Sequence, residues 1–148
     1  ARVSHERAEC PVARAADILG DRWSLLIVRD AFDGLSRFGE FQRNLGLAKN
    51  ILSTRLRTLV AAGVLETVPA ADGGAYHQYR LTDRGRELFS LVVALRQWGE
   101  QYLFEPGEEH SVLLDVEHQQ PLRKLEVRDA EGRPVAASDA FVRKVAPS

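Results

Sequence analysis

The chain has 148 residues, 45% of them apolar and 28% charged, with a formal net charge of −1. This suits one compact soluble domain, or one with an appendage, and no stretch approaches the roughly 18 apolar residues of a membrane span. One cysteine, Cys10, excludes an intrachain disulfide framework and agrees with a reducing compartment, and the polar start "ARVSHERAEC" does not read as a signal peptide, so a cytoplasmic location is expected.

The small net charge hides a polarised chain. Residues 37 to 58 carry five bases, Arg37, Arg43, Lys49, Arg55 and Arg57, against one acid, Glu40, whereas residues 100 to 148 carry ten acids against six bases. A basic middle suits a polyanionic partner even where the total does not.

In chain order, Pro11 is pre-set for a first helical position, and Val12, Ala15, Ala16 and Leu19 follow at helical spacing up to Gly20-Asp21. Trp23, Leu26, Ile27 and Ala31 form a second stripe that ends at Gly34, and Phe38, Phe41 and Leu45 a third that ends at Gly46. In "LAKNILSTRLRTLVAAGVLE", a turn of about 100° per residue gathers Leu52, Leu56 and Leu59 on one side. Asn50, Thr54 and Arg57 fall opposite, flanked by Ser53 and Thr58. Short hydroxyl, amide and guanidinium groups on one helix face are the inventory that reads base edges in a DNA major groove.

Helix, short turn and helix of this length match helix-turn-helix spacing. "VLETVPA" and "YHQYRLT" then read as strands joined by a turn containing Asp72-Gly73-Gly74, a hairpin placed as a wing. Thr82 caps a long helix that should run to Pro106, with Asp83 in its first turn. Leu88, Leu91, Leu95, Trp98 and Tyr102, spaced 3, 4, 3 and 4, give it a two-heptad seam suited to a twin helix, widened by Val92 and Leu103. From Glu108, "SVLLDVE", "PLRKLEVRD" and "AFVRKVA" read as short strands between turns, a small β appendage.

The fold class expected is therefore mainly α with a β-hairpin wing, a long C-terminal dimerisation helix and a small β appendage. Residues 1–105 would form the DNA-binding and dimerisation domain and 106–148 the extension.

Three stretches then resemble a known family: "CPVARAADILGDRWSLLIVRDAFDGLSRFGEFQRNL", "ILSTRLRTLVAAGVLE" and "YRLTDRGRELFSLVVALRQWGE". Cys-Pro, Gly-x-x-Trp, Arg-Phe, Leu-Ser-x-Arg-Leu, Tyr-x-Leu-Thr-x-x-Gly and a late Trp-Gly occur in the order seen in the HxlR-type winged helix-turn-helix transcriptional regulators of bacteria. The resemblance covers residues 10 to about 100. It implies a homodimer on a pseudo-palindromic operator, with Asn50, Ser53, Thr54 and Arg57 toward bases and the hairpin toward the flanking minor groove or backbone. Arg43, Lys49 and Arg55 are assigned to phosphates, and His77 on the second wing strand to DNA contact. Two departures stand out: Ala48 occupies a position where such proteins place a Ser or Thr helix cap, and the wing tip is poor in Arg and Lys.

Cys10 sits at a helix N-terminus one turn from Arg14, a setting that suits a reactive thiol. The resemblance permits it a role in sensing oxidants or electrophiles beside that of a structural cysteine, and a small-molecule effector is an open partner. His5, His77, His110 and His118 lack metal-ligand spacing, and neither Cys10 with His5 nor Gly73-Gly74 supplies a catalytic constellation or phosphate cradle, so no enzyme, metal or cofactor is expected. Trp23 and Trp98 read as core or interface anchors. The alternative function is a winged-helix protein-interaction module without specific DNA binding.

Overall fold

The computed structural model describes residues 3–70, 72–74 and 76–145. Its elements run α1 (Pro11–Leu19), α2 (Arg22–Phe32), α3 (Phe38–Leu45), α4 (Lys49–Ala61), β1 (Leu65–Pro69), β2 (His77–Leu81), α5 (Asp83–Arg86) and α6 (Phe89–Tyr102). The chain divides into two compact units, Ala1–Phe89 and Ser90–Ser148. No helix among the described residues is long and apolar enough to cross a membrane.

In the first unit the four helices precede an antiparallel hairpin whose register pairs Leu65 with Leu81 and Pro69 with His77. α4 lies on α2, α3 and β1. Leu52, Leu56 and Leu59, the stripe read from the sequence, are fully buried together with Ile27 and Phe41. Burying a leucine side chain contributes about 1.5–3 kcal/mol, so three on one face fix both the depth and the rotation of α4. Gly46 adopts the left-handed φ of 65° that ends α3 and turns the chain into α4.

Polar groups hold the junctions. Asp21 caps α2, accepting from the Ser24 amide at 2.8 Å and from its hydroxyl at 2.7 Å. Buried Asp30 on α2 accepts from Asn44 on α3 at 2.9 Å and from the Arg29 guanidinium. α3 is capped by Glu40, whose carboxylate reaches back to the amides of Arg37 at 2.8 Å and Ser36 at 3.1 Å. Those amide bonds, Arg37 first, hold the Glu40 carboxyl below its ordinary range.

A third junction joins the end of α4 to the chain after the wing. The Thr82 hydroxyl donates to the Gly63 carbonyl and accepts from the Gly85 amide, while the Thr82 amide donates to the Val64 carbonyl at 3.1 Å. Gly85 lies so close to β1 that a Cβ there would sit 2.1 Å from the Val64 oxygen. This contact accounts for the Leu-Thr-x-x-Gly motif.

Two expectations need correction. The long helix after Thr82 is interrupted: α5 closes after one turn, Leu88 bonds back three residues to Gly85, and α6 starts at Phe89 and stops at Tyr102. Leu88 thus lies half-buried in the turn, outside α6. In the second unit the anticipated strands of the appendage are realised, among the described residues, as two isolated bridges, Leu114 with Pro121 and Arg128 with Pro134, and one 3₁₀ turn at Ala137–Asp139. The runs have strand-like alternation but no neighbouring strand long enough to build a ladder.

Gly85→Ala should lower stability by about 1–3 kcal/mol or more through forced separation of α5 from β1, read as a drop in thermal midpoint. Because the Glu40 pKa is depressed by folding, its contribution is complete above the unfolded value of about 4.3 and fades as pH falls through the lower folded value. Glu40→Gln should therefore cost about 0.5–1 kcal/mol at pH 7, and the gap between variant and native protein should narrow below pH 4 in unfolding experiments.

Candidate nucleic-acid interface

With its leucine face buried, α4 presents Asn50, Thr54 and Arg57 to solvent, with Ser53 half-buried beside them. The Thr54 and Thr58 hydroxyls donate to carbonyls one turn back, at 2.9 Å from Asn50 and 3.1 Å from Thr54. Each hydroxyl oxygen keeps lone pairs to accept an outside donor. Arg57 reaches toward the Ser53 hydroxyl at 3.3 Å, which holds the guanidinium along the same face.

A groove of about 950 Å³ runs between this helix and the wing. Lys49, Asn50 and Ser53 of α4 form one wall, Arg37, Phe38 and Arg43 another, and Tyr76, His77 and Tyr79 the wing side. The wing is tied down there: the Tyr79 amide donates to the Ser36 carbonyl at 2.7 Å, and the Tyr79 ring meets Phe41 edge to face at 6.4 Å. Arg37 bridges to Asp72 of the wing turn at 3.2 Å. The Gly74 amide, and then Arg37, hold the Asp72 carboxyl below its ordinary range. Gly39 leaves room beside Arg43, whose guanidinium would sit 3.2 Å from a Cβ at that position.

Ala48 is the N-cap of α4 and supplies no side-chain acceptor. The first amides of the helix are thus open to an external oxygen, and a helix N-terminus flanked by Lys49 is suited to phosphate. Three cations, a helix start and an aromatic wing wall line this groove. The neighbouring α4 face carries hydrogen-bonding groups for base edges.

The groove gathers Arg43, Lys49, Asn50, Ser53 and His77, while Thr54 and Arg57 continue the outer face of α4 beyond it. Arg55 points elsewhere. It lies about 140° round the helix from Asn50 and pairs with Asp21 at 3.6 Å, half-buried at the start of α2. Burial pushes the Asp21 carboxyl up, but the two Ser24 hydrogen bonds and Arg55 outweigh it and the net shift is downward. Arg37, counted in the sequence only as part of the basic stretch, and Tyr76, which the sequence does not mark, also belong to the groove. The Arg-Phe motif at the start of α3, and an aromatic next to His77, were the signals available. Among the described residues no three His, Cys, Asp or Glu side chains come together as metal ligands would.

Cys10 is the N-cap residue of α1, partly exposed, with Pro11 in the first helical position. Arg14 directs its Nε–H to the Ala8 carbonyl. On α6, Leu91, Leu95, Trp98 and Tyr102 all face outward, and the Trp98 and Tyr102 rings lie 5.5 Å apart.

Comparison with known proteins agrees with this geometry. The HTH-type transcriptional regulator Rv3095 of Mycobacterium tuberculosis is 47% identical over 104 residues, 70% of this chain, and the matched stretch spans 66% of that relative's length. The solved structure of PA1607, a candidate transcription factor, is 57% identical, covers 97% of this chain and 100% of its own, and superposes with a TM-score of 0.90. The redox regulator HypR in its oxidised form is 31% identical, covers 62% of this chain and 96% of its own, and has a TM-score of 0.57. Residues 18–106 match the sequence pattern of a single family, and the chain belongs to it: the HxlR-like helix-turn-helix family.

Proposed function

We propose that this chain is a homodimeric, sequence-specific DNA-binding transcriptional regulator that inserts α4 into the major groove of a pseudo-palindromic operator. The observation that carries this reading is the exposed face of Asn50, Thr54 and Arg57, with Ser53 beside it, next to a groove lined by Arg37, Arg43 and Lys49. Phosphate contacts by the groove cations and the open start of α4 supply affinity and salt dependence, and α4 side chains supply base discrimination. His77, exposed at the start of β2, is placed to meet the same backbone strand. Arg55 acts differently from Arg43 and Lys49: its pairing with Asp21 supports the orientation of α4. The outward seam on α6 is the dimer contact, and two-fold symmetry would set half-sites about 34–36 Å apart.

A protein-interaction module on this fold would present acidic or large apolar side chains on α4. Short donors and acceptors stand there instead, which favours DNA. Selection of bound sequences from a random duplex library tests the reading, the expected result being a two-fold motif one helical turn between half-sites.

Cys10 supports a further part of the reading, regulation by oxidants or electrophiles. Its partial exposure at the start of α1 and the likeness to the redox regulator HypR favour it. Peroxide would convert the thiol to a sulfenic acid, and condensation with a small thiol would release water and leave a mixed disulfide.

Arg57→Ala should weaken operator binding by about 1–3 kcal/mol and relax preference at one base pair of each half-site, whereas Lys49→Ala should weaken specific and random DNA alike and flatten the salt dependence. Equal losses on both DNAs for both variants would refute this division. Mild peroxide with glutathione should lower operator affinity of the native protein and leave Cys10→Ser unaffected, and equal binding before and after oxidation would reduce Cys10 to a structural residue.

A further inference from the structure

In the second unit Val93 is the single buried side chain among the described residues. From residue 94 to residue 145 no described residue is buried. The chain after α6 is held by hydrogen bonds and ion pairs, with a ring contact between Phe104 and His110. The Asp115 carboxylate accepts from the amides of His118 at 2.7 Å and Gln120 at 2.8 Å, and Asp129 accepts from those of Glu131 at 3.0 Å and Arg133 at 2.8 Å. The Gln97 side chain of α6 pins the segment from two sides, donating to the Arg123 carbonyl at 3.0 Å and accepting from the Leu125 amide at 2.7 Å.

A segment shaped this way still directs apolar side chains outward. Val116 is 97% exposed, Phe141 88%, Val142 75% and Val127 69%. Apolar side chains left this open supply area for a partner surface to cover. The segment's eight acids against six bases over residues 107–145 disfavour an anionic membrane or nucleic acid and favour a protein surface.

We infer that residues 107–145 form an arm that packs on a second copy of this chain and clasps the dimer. The inference rests on the homodimeric reading above. The occupant is a second copy because of the area a stable dimer requires. The four outward side chains of the α6 seam leave on the order of 400–500 Å² for a partner, against about 800 Å² per partner in an interface of standard size. The outward apolar groups of the arm supply a comparable area in the same unit, and Gln97 fixes the arm to the helix that bears the seam. The arm also lies beyond the family pattern, which ends at residue 106. It is an addition to the shared helix-turn-helix framework.

The test uses full-length protein with Val116→Asp, Phe141→Asp and Leu95→Glu, each checked for native circular dichroism, and sedimentation equilibrium to obtain the dimer dissociation constant. The two arm variants sit on side chains nearly free of contacts within the chain, so they should fold, and each should raise the dimer dissociation constant 10- to 100-fold. Hydrogen exchange of arm amides should slow as native protein is raised through its dimerisation range. Arm variants with the native constant, while Leu95→Glu is monomeric, would overturn the clasp and leave the dimeric reading standing. Weakening by arm variants with Leu95→Glu still dimeric would support the clasp and move the helix contact elsewhere. A native protein that sediments as monomer at every concentration would overturn the dimeric reading and the clasp with it.

Discussion

The burial of Leu52, Leu56 and Leu59 is the constraint on which the candidate interface depends. A helix seated by three adjacent leucines has one allowed rotation, and that rotation decides which polar residues face outward. Asn50, Thr54 and Arg57 are presented because they lie opposite the stripe, and Arg55 is withheld because it lies on the flank. Neighbouring junctions protect the seat: Glu40 fixes the start of α3, Asp30 and Asn44 join α2 to α3, and Thr82 with Gly85 closes the far end of α4 against β1.

The wing is positioned by the same framework. Tyr79 is bound to Ser36 through the backbone and to Phe41 through its ring, so the second wing strand follows the start of α3. The groove beside α4 is therefore a consequence of α3 capping as much as of the hairpin. Arg37 spans both, joining the start of α3 to the wing turn through Asp72.

Periodicity made most of this fold readable in advance, because apolar spacing of 3.6 or 2 residues is a local property of the chain. The four helical stripes, the two strands and the outer face of α4 follow from it, while the helix ends were marked by Pro11, Gly34 and Gly46. What it could not convey were relations between distant residues. No local pattern marks Asp30 as buried before α3 brings Asn44 to it, and Arg55 reads as one more cation in a basic stretch until α2 brings Asp21. The break after α5 was hidden for a similar reason, since the leucine spacing runs on through Leu88 while the packing of Gly85 on Val64 ends the first turn. Strand-like alternation after Glu108 misled because a ladder needs a partner, and only short bridges form there.

The Asp21–Arg55 pair changes how a mutational map of this protein should be interpreted. Asp21 caps α2 and at the same time meets a cation in the middle of α4, so one carboxylate connects the start of α2 with α4. A screen for loss of function alone would score these two positions beside any residue that touches a ligand directly, although their effect is exerted through the framework. Folding stability measured beside DNA binding would separate the classes, because a supporting residue affects both whereas a side chain that only touches DNA affects binding alone.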